Sequence, residues 1–179
     1  AIGNYTMTGV MNAANRNTAV GHYSGTSLTS GSNNTFLGKG SAQSLTTGEG
    51  NVILGYNAFD ATAGGESYNI CIGHEAMGAA DEDNQTIDSN IAIGRDALKC
   101  GDMASTANDV IGNVVIGYQA LDGTTTNAHT GTIAIGFKAL TNCSSGSLNT
   151  AVGYQSGDSL STQGSNTLMG YRSGYSLAS

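Results

Sequence analysis

Hydrophobic and polar positions along the chain follow a short cycle that is neither helical nor simply alternating. Asn opens it, three apolar or Thr residues follow, Gly closes the run, and a polar stretch leads to the next copy. The cycle returns nine times: NTAVGHYS at Asn17 to Ser24, NTFLGKGS from Asn34, NVILGYNA from Asn51, NICIGHEA from Asn69, NIAIGRDA from Asn90, NVVIGYQA from Asn113, TIAIGFKA from Thr132, NTAVGYQS from Asn149 and NTLMGYRS from Asn166. The closing glycines are Gly21, Gly38, Gly55, Gly73, Gly94, Gly117, Gly136, Gly153 and Gly170, spaced 17 to 23 residues apart. A repeat this short, with one β-branched run and one turn cluster, lacks room for a helical hairpin and suits one coil of a solenoid. The expected fold is all-β: a parallel β-solenoid (β-roll) of about ten coils, rising about 4.8 Å per coil to a rod of roughly 45 to 50 Å. One repetitive domain is expected over 1–179. Ala1-Ile2-Gly3 reads as half a copy and the last copy breaks off after Gly170, so a segment of a longer fibre protein is expected.

Side chains alternate faces along a strand, so the two faces can be read separately. One face carries Thr18, Thr35, Val52, Ile70, Ile91, Val114, Ile133, Thr150 and Thr167, with Val20, Leu37, Leu54, Ile72, Ile93, Ile116, Ile135, Val152 and Met169 two residues on. The other carries Ala19, Phe36, Ile53, Cys71, Ala92, Val115, Ala134, Ala151 and Leu168. Both faces are apolar, and a strand apolar on both sides must be covered twice. The coil interior supplies one cover. A second stripe left open along ten coils would exceed what soluble monomers expose, so a homo-oligomer is expected, with three chains the favoured number.

Each motif position has an expected task. The opening Asn residues, Asn17, Asn34, Asn51, Asn69, Asn90, Asn113, Asn149 and Asn166, are expected to form a stacked amide ladder. The glycine is expected at positive φ or in close backbone contact, and the Ala or Ser three residues later lets the chain turn inward. Five copies then place a large apolar residue, at Phe59, Met77, Leu98, Leu121 and Leu140. The other four follow Ser with Gly or Ala and delay that residue to Leu28, Leu45, Leu160 and Leu177. Each coil so gains one more core side chain. The longest spacings imply loops bulging near residues 79–89, 101–112 and 122–131.

Composition narrows the function. Gly, Ser, Thr and Asn make up nearly half of the chain, only 11% is charged, and Pro and Trp are absent, which excludes a helix bundle and a charge-rich disordered segment. A net charge of −7 with six Lys and Arg argues against nucleic acid and anionic membrane as partners. No apolar run approaches the ~18 residues of a transmembrane helix, so no membrane insertion is expected. Three Cys without a CxxC pattern give neither a disulfide framework nor a zinc signature. Cys71 reads as a small core hydrophobe, and Cys100 and Cys143 lie too many coils apart to bond within a chain.

Candidate chemistry is sparse. Asp81-Glu82-Asp83-Asn84 with Asp88 is oxygen-rich, as Ca²⁺ requires, but lacks the glycine and closing Glu of an EF-hand loop, and reads as a solvated loop. Asp102 and Asp109 belong to the next loop. His22 and His74 follow their glycines three coils apart, too far to share a metal. Glu49, Glu66 and Glu75 are the loose candidates for a glycosidase carboxylate pair. The column after the glycine ends in Tyr118, Phe137, Tyr154 and Tyr171, rings that could stack on sugars or pack against a neighbouring chain. No enzyme, metal site or cofactor is expected.

These NTAVGYQA-like copies resemble the repeats of bacteriophage tail fibres, and are similar to the shorter repeats of trimeric autotransporter adhesin heads. The resemblance implies a trimeric, extracellular, adhesive fibre on a virion or a bacterial surface that meets a host cell-surface glycan or protein receptor. A phage tail-fibre segment is the first expectation and a bacterial surface adhesin the second. A polysaccharide depolymerase and an ice-binding solenoid rank lower; the latter needs a regular Thr array, which Val and Ile interrupt in the middle five copies.

Overall fold

A computed structural model describes residues 1–10, 12–60, 64–78, 86–99, 109–123 and 129–175. The loop acids Asp81, Glu82, Asp83 and Asp102, together with Cys100 and Leu177, lie outside them. Among the described residues no helix occurs, and the chain is a parallel β-solenoid.

Every motif copy forms one three-residue strand. These are β1 (Thr18–Val20), β2 (Thr35–Leu37), β3 (Val52–Leu54), β4 (Ile70–Ile72), β6 (Ile91–Ile93), β8 (Val114–Ile116), β10 (Ile133–Ile135), β11 (Thr150–Val152) and β12 (Thr167–Met169). They stack in chain order into one nine-stranded sheet, in register, so that Ala92 lies between Cys71 and Val115. Ile2 of the half-copy adds a parallel bridge to Val20. The expected bulging loops differ from expectation at their returning ends. Here β5 (Ile87–Asp88), β7 (Val110–Ile111) and β9 (His129–Thr130) form a second, three-stranded parallel sheet. Ile87 and Val110 point inward at 0% exposure, so the extra length in these copies adds a second wall to the core.

The core is a column of small layers. The middle residue of each strand from Ala19 to Ala151 is buried, as is the Ala or Ser three residues past each glycine up to Ser156. Both turn classes deliver their large side chain inward: Phe59, Met77, Leu98, Leu121 and Leu140 directly, Leu28, Leu45 and Leu160 three residues later. The direct class does so through backbone in the left-handed region, Phe59 at φ 52°, Leu98 at 48° and Leu140 at 53°. That conformation costs an L-residue roughly 1 to 2 kcal/mol, and burying the side chain, worth about 1.5 to 3 kcal/mol, offsets it. Cys71 is buried against the Met77 sulfur at 3.3 Å, as expected of a small hydrophobe.

The first and third residues of each three-residue strand face outward. They are half-buried or exposed: Leu37 shows 48% of its surface and Met169 69%.

Candidate functional site

Three arrangements could carry function: the outward sheet face with its adjoining rings, a cluster of charged groups on the middle turns, and the buried asparagine ladder.

Because the stacked strands are in register, every residue after a motif glycine lies above its counterpart one coil earlier. Tyr118, Phe137, Tyr154 and Tyr171 therefore form one stack, with centroids 5.2, 5.0 and 5.5 Å apart and planes within 19° of parallel. His74 stacks on Tyr56 in the same column at 5.1 Å. Cations occupy the positions without a ring: Lys39 lies 5.2 Å from the Tyr56 centroid, and Arg95 lies 5.8 Å from that of Tyr118. Each such contact contributes about 0.5 to 1.5 kcal/mol. Rings stacked this way cover one another's faces, and Arg172 sits 5.5 Å from the centroid of the terminal Tyr171. What remains open is the row of ring edges, running beside the aliphatic outward positions of the sheet. A sugar seated on a ring face would have to part the stack.

The second arrangement was not apparent from the motif reading. Adjacent copies place acids two residues past the glycine, and His74, Glu75 and Asp96 bring ligand atoms within 4.8 Å of one another. Comparing that motif position across copies, where Glu75 and Asp96 follow Asn57, is the signal that finds it. These oxygens already have cations. Lys99 donates to Glu75 Oε2 and lies 3.6 Å from Asp96 Oδ1, while Arg95 Nε is 3.2 Å from Asp96 Oδ2. A metal would have to displace both, so the donor set reads as an ion-pair network. The Lys99 hydrogen bond holds the Glu75 carboxyl below its usual range and raises Lys99 in return. Nearby, burial and the Glu75 charge push Asp60 from 3.8 up to about 6, and burial with the Asp96 charge raises Asp122.

Asp60 carries a pH prediction. The folded chain holds its proton more tightly than the unfolded chain, so stability falls as pH rises from about 4 to 6 and is level above. The shift corresponds to at most roughly 3 kcal/mol, and partial solvent access reduces it to about 1. Asp60→Asn is expected to raise the melting temperature at pH 7.5 by a few degrees, with no gain at pH 4, in paired thermal melts.

Other candidates are engaged separately. Asp88 accepts the Ser67 N–H at 2.6 Å and Asp109 the Thr86 N–H at 3.0 Å, so both serve as backbone caps. Glu49 is bonded by the exposed Tyr68 hydroxyl, Glu75 by Lys99, and Glu66 is buried, so each of these three carboxylates has a separate environment. His22 packs on Tyr5 and Tyr23. Burial pushes the Cys143 thiol up to about 11, and its Sγ donates to the Ser145 carbonyl.

The asparagine ladder runs inside the rod. Each Oδ1 accepts both the main-chain N–H and the side-chain amide of the next Asn: Asn34 onto Asn17, Asn51 onto Asn34, Asn69 onto Asn51, Asn90 onto Asn69 and Asn113 onto Asn90. Each Nδ2 from Asn17 to Asn149 also donates to a carbonyl of the following coil, as Asn90 does to Val110 at 2.7 Å, whereas that of Asn166 donates to Gly164. The ladder breaks at Thr132 and resumes from Asn149 to Asn166.

No family model, curated protein or solved structure matches the chain. Among the described residues no helix is long and apolar enough to cross a membrane.

Proposed function

We propose that the chain is a non-enzymatic, adhesive rod segment of about ten coils that works as a homotrimer, its sheets and ring edges packed around a common axis. The observation that carries this reading is the outward strand face. In the nine strands of the large sheet its two positions hold only Val, Ile, Leu, Met and Thr, with no charge. Nine rungs about 4.8 Å apart and three residues wide give roughly 400 Å², as large as the greatest apolar patch of a typical monomer. The ring edges, just past the strand glycine, extend it. Each subunit of a three-fold ring offers two different surfaces to its neighbours, and an apolar sheet face beside a row of ring edges supplies two.

A rod of this kind, with the repeats described, fits a phage tail-fibre segment that presents or performs host-receptor binding outside the cell. A bacterial trimeric surface adhesin is the second reading. The receptor class is a cell-surface glycan or protein.

Light scattering tests the assembly: the expected mass is about three times the 18.0 kDa of the chain. Ile116→Glu places a charge on the outward face, and is expected to give an 18.0 kDa particle with an unchanged circular dichroism spectrum. A wild-type monomer at micromolar concentration would overturn the proposal.

A further inference from the structure

The coil from His129 to Thr132 differs from its neighbours in two ways that meet at one junction. Thr132 still donates its N–H to Asn113 Oδ1 at 2.9 Å, but it has no amide to pass on. Among the described residues its buried Oγ1 has no partner, and no side-chain ladder bond joins Thr132 to Asn149. On the same rung His129 is 0% exposed, and among the described residues neither ring nitrogen has a hydrogen-bond partner. The carbonyls of Ser144 and Gly146 face the ring from the following turn without completing a bond. Main-chain bonds hold the junction closed, Ile133 N–H to the Asn149 carbonyl at 2.8 Å and Leu148 N–H to that of Thr130 at 2.9 Å.

We propose that this junction is an acid-sensitive joint: protonation of His129 opens the rod between β10 and β11 while the coils before β8 stay stacked. An imidazolium there would be desolvated, and among the described residues no carboxylate pairs with it. Among the described residues the titratable groups on the elements packed against it are Cys143, whose thiol is turned to the Ser145 carbonyl, and Asp109 beside β7, exposed and bonded to Thr86. Burial already holds the imidazole below its ordinary value of 6.5. An opened junction returns the ring to water, where it takes up its proton near 6.5. Below that pH the open form binds more protons than the closed one, so opening becomes easier by up to tenfold per pH unit. Above it the ring is neutral in both forms and the joint stays shut.

Hydrogen exchange with mass spectrometry on the intact chain at pH 7.5 and 5.0, corrected for intrinsic rates, tests this in an Asp60→Asn, Asp122→Asn background, which removes the two raised carboxylates whose titration has the opposite sign. Peptides over 129–152 are expected to lose at least tenfold protection at pH 5.0 relative to those over 18–72. His129→Leu is expected to abolish that difference. Thr132→Asn, restoring the missing ladder link, is expected to raise protection at both pH values. Equal loss along the whole rod, or the same local loss in His129→Leu, would overturn the proposal. If the leucine variant fails to fold, an NMR titration of the His129 ring decides: titration near 6.5 with protection unchanged would also overturn it.

Discussion

Gly117→Ala is expected to cost more than about 4 kcal/mol and to disorder the centre of the rod. Gly117 has φ 138°, where L side chains are strained, at about 1 to 3 kcal/mol. The larger cost is spatial, because a β-carbon there would fall on the carbonyl of Gly136 one coil on. That carbonyl belongs to main chain held on both sides, since Gly136 N–H bonds the Ile116 carbonyl and Ala139 N–H bonds Gly136 itself. No side chain can yield to make room, so the coils must separate. Thermal unfolding followed by far-UV circular dichroism should show a fall in melting temperature of well over 10 °C, or no cooperative transition. A variant melting within a few degrees of wild type would mean that the strands do not stack in this register.

Asn90→Ala is expected to cost about 3 to 5 kcal/mol, although it deletes only one buried polar side chain. Asn90 Oδ1 accepts the Asn113 N–H at 3.0 Å and its amide at 2.9 Å, while Nδ2 donates to Asn69 Oδ1 at 3.0 Å and to the Val110 carbonyl at 2.7 Å. Alanine leaves the Asn113 N–H and the Val110 carbonyl inside the rod without the partner that Asn90 gives each of them. Urea denaturation of the variant and wild type, compared at equal m-value, gives the difference. A cost below about 1 kcal/mol would show the ladder to be redundant beside the main-chain bonds. Thr132 shows that one break is tolerated, and it still caps Asn113 through its own N–H.

The stack, the inward and outward faces and the amide ladder were legible because each is a property of one motif position repeated nine times. Ala19, Phe36 and Ile53 need no further context to be read as one column. Features confined to a few copies were harder to read. The sheet of β5, β7 and β9 rests on two-residue pairs such as His129-Thr130, which lack an alternating pattern and occur only in three long copies. The left-handed turns at Phe59, Leu98 and Leu140 run against intrinsic preference, because burial decides them. Their one trace in the sequence is that Gly25, Gly157 and Gly174 occupy the same position in other copies, also at positive φ. The grouping of His74, Glu75, Asp96 and Lys99 depends on which copies happen to be adjacent, a comparison down a column that scanning along the chain does not make.

Because the strands are parallel and stacked one above the next, their interstrand hydrogen bonds point along the length of the rod. Tension applied between its ends would load these bonds a rung at a time, without sharing the force over all nine. One released coil of 17 residues can extend to about 58 Å, against about 4.8 Å when folded. A stack made this way can act as an extensible tether: each coil that a hard pull releases grows more than tenfold in length, and slack lets the chain wind back onto the rung that remains.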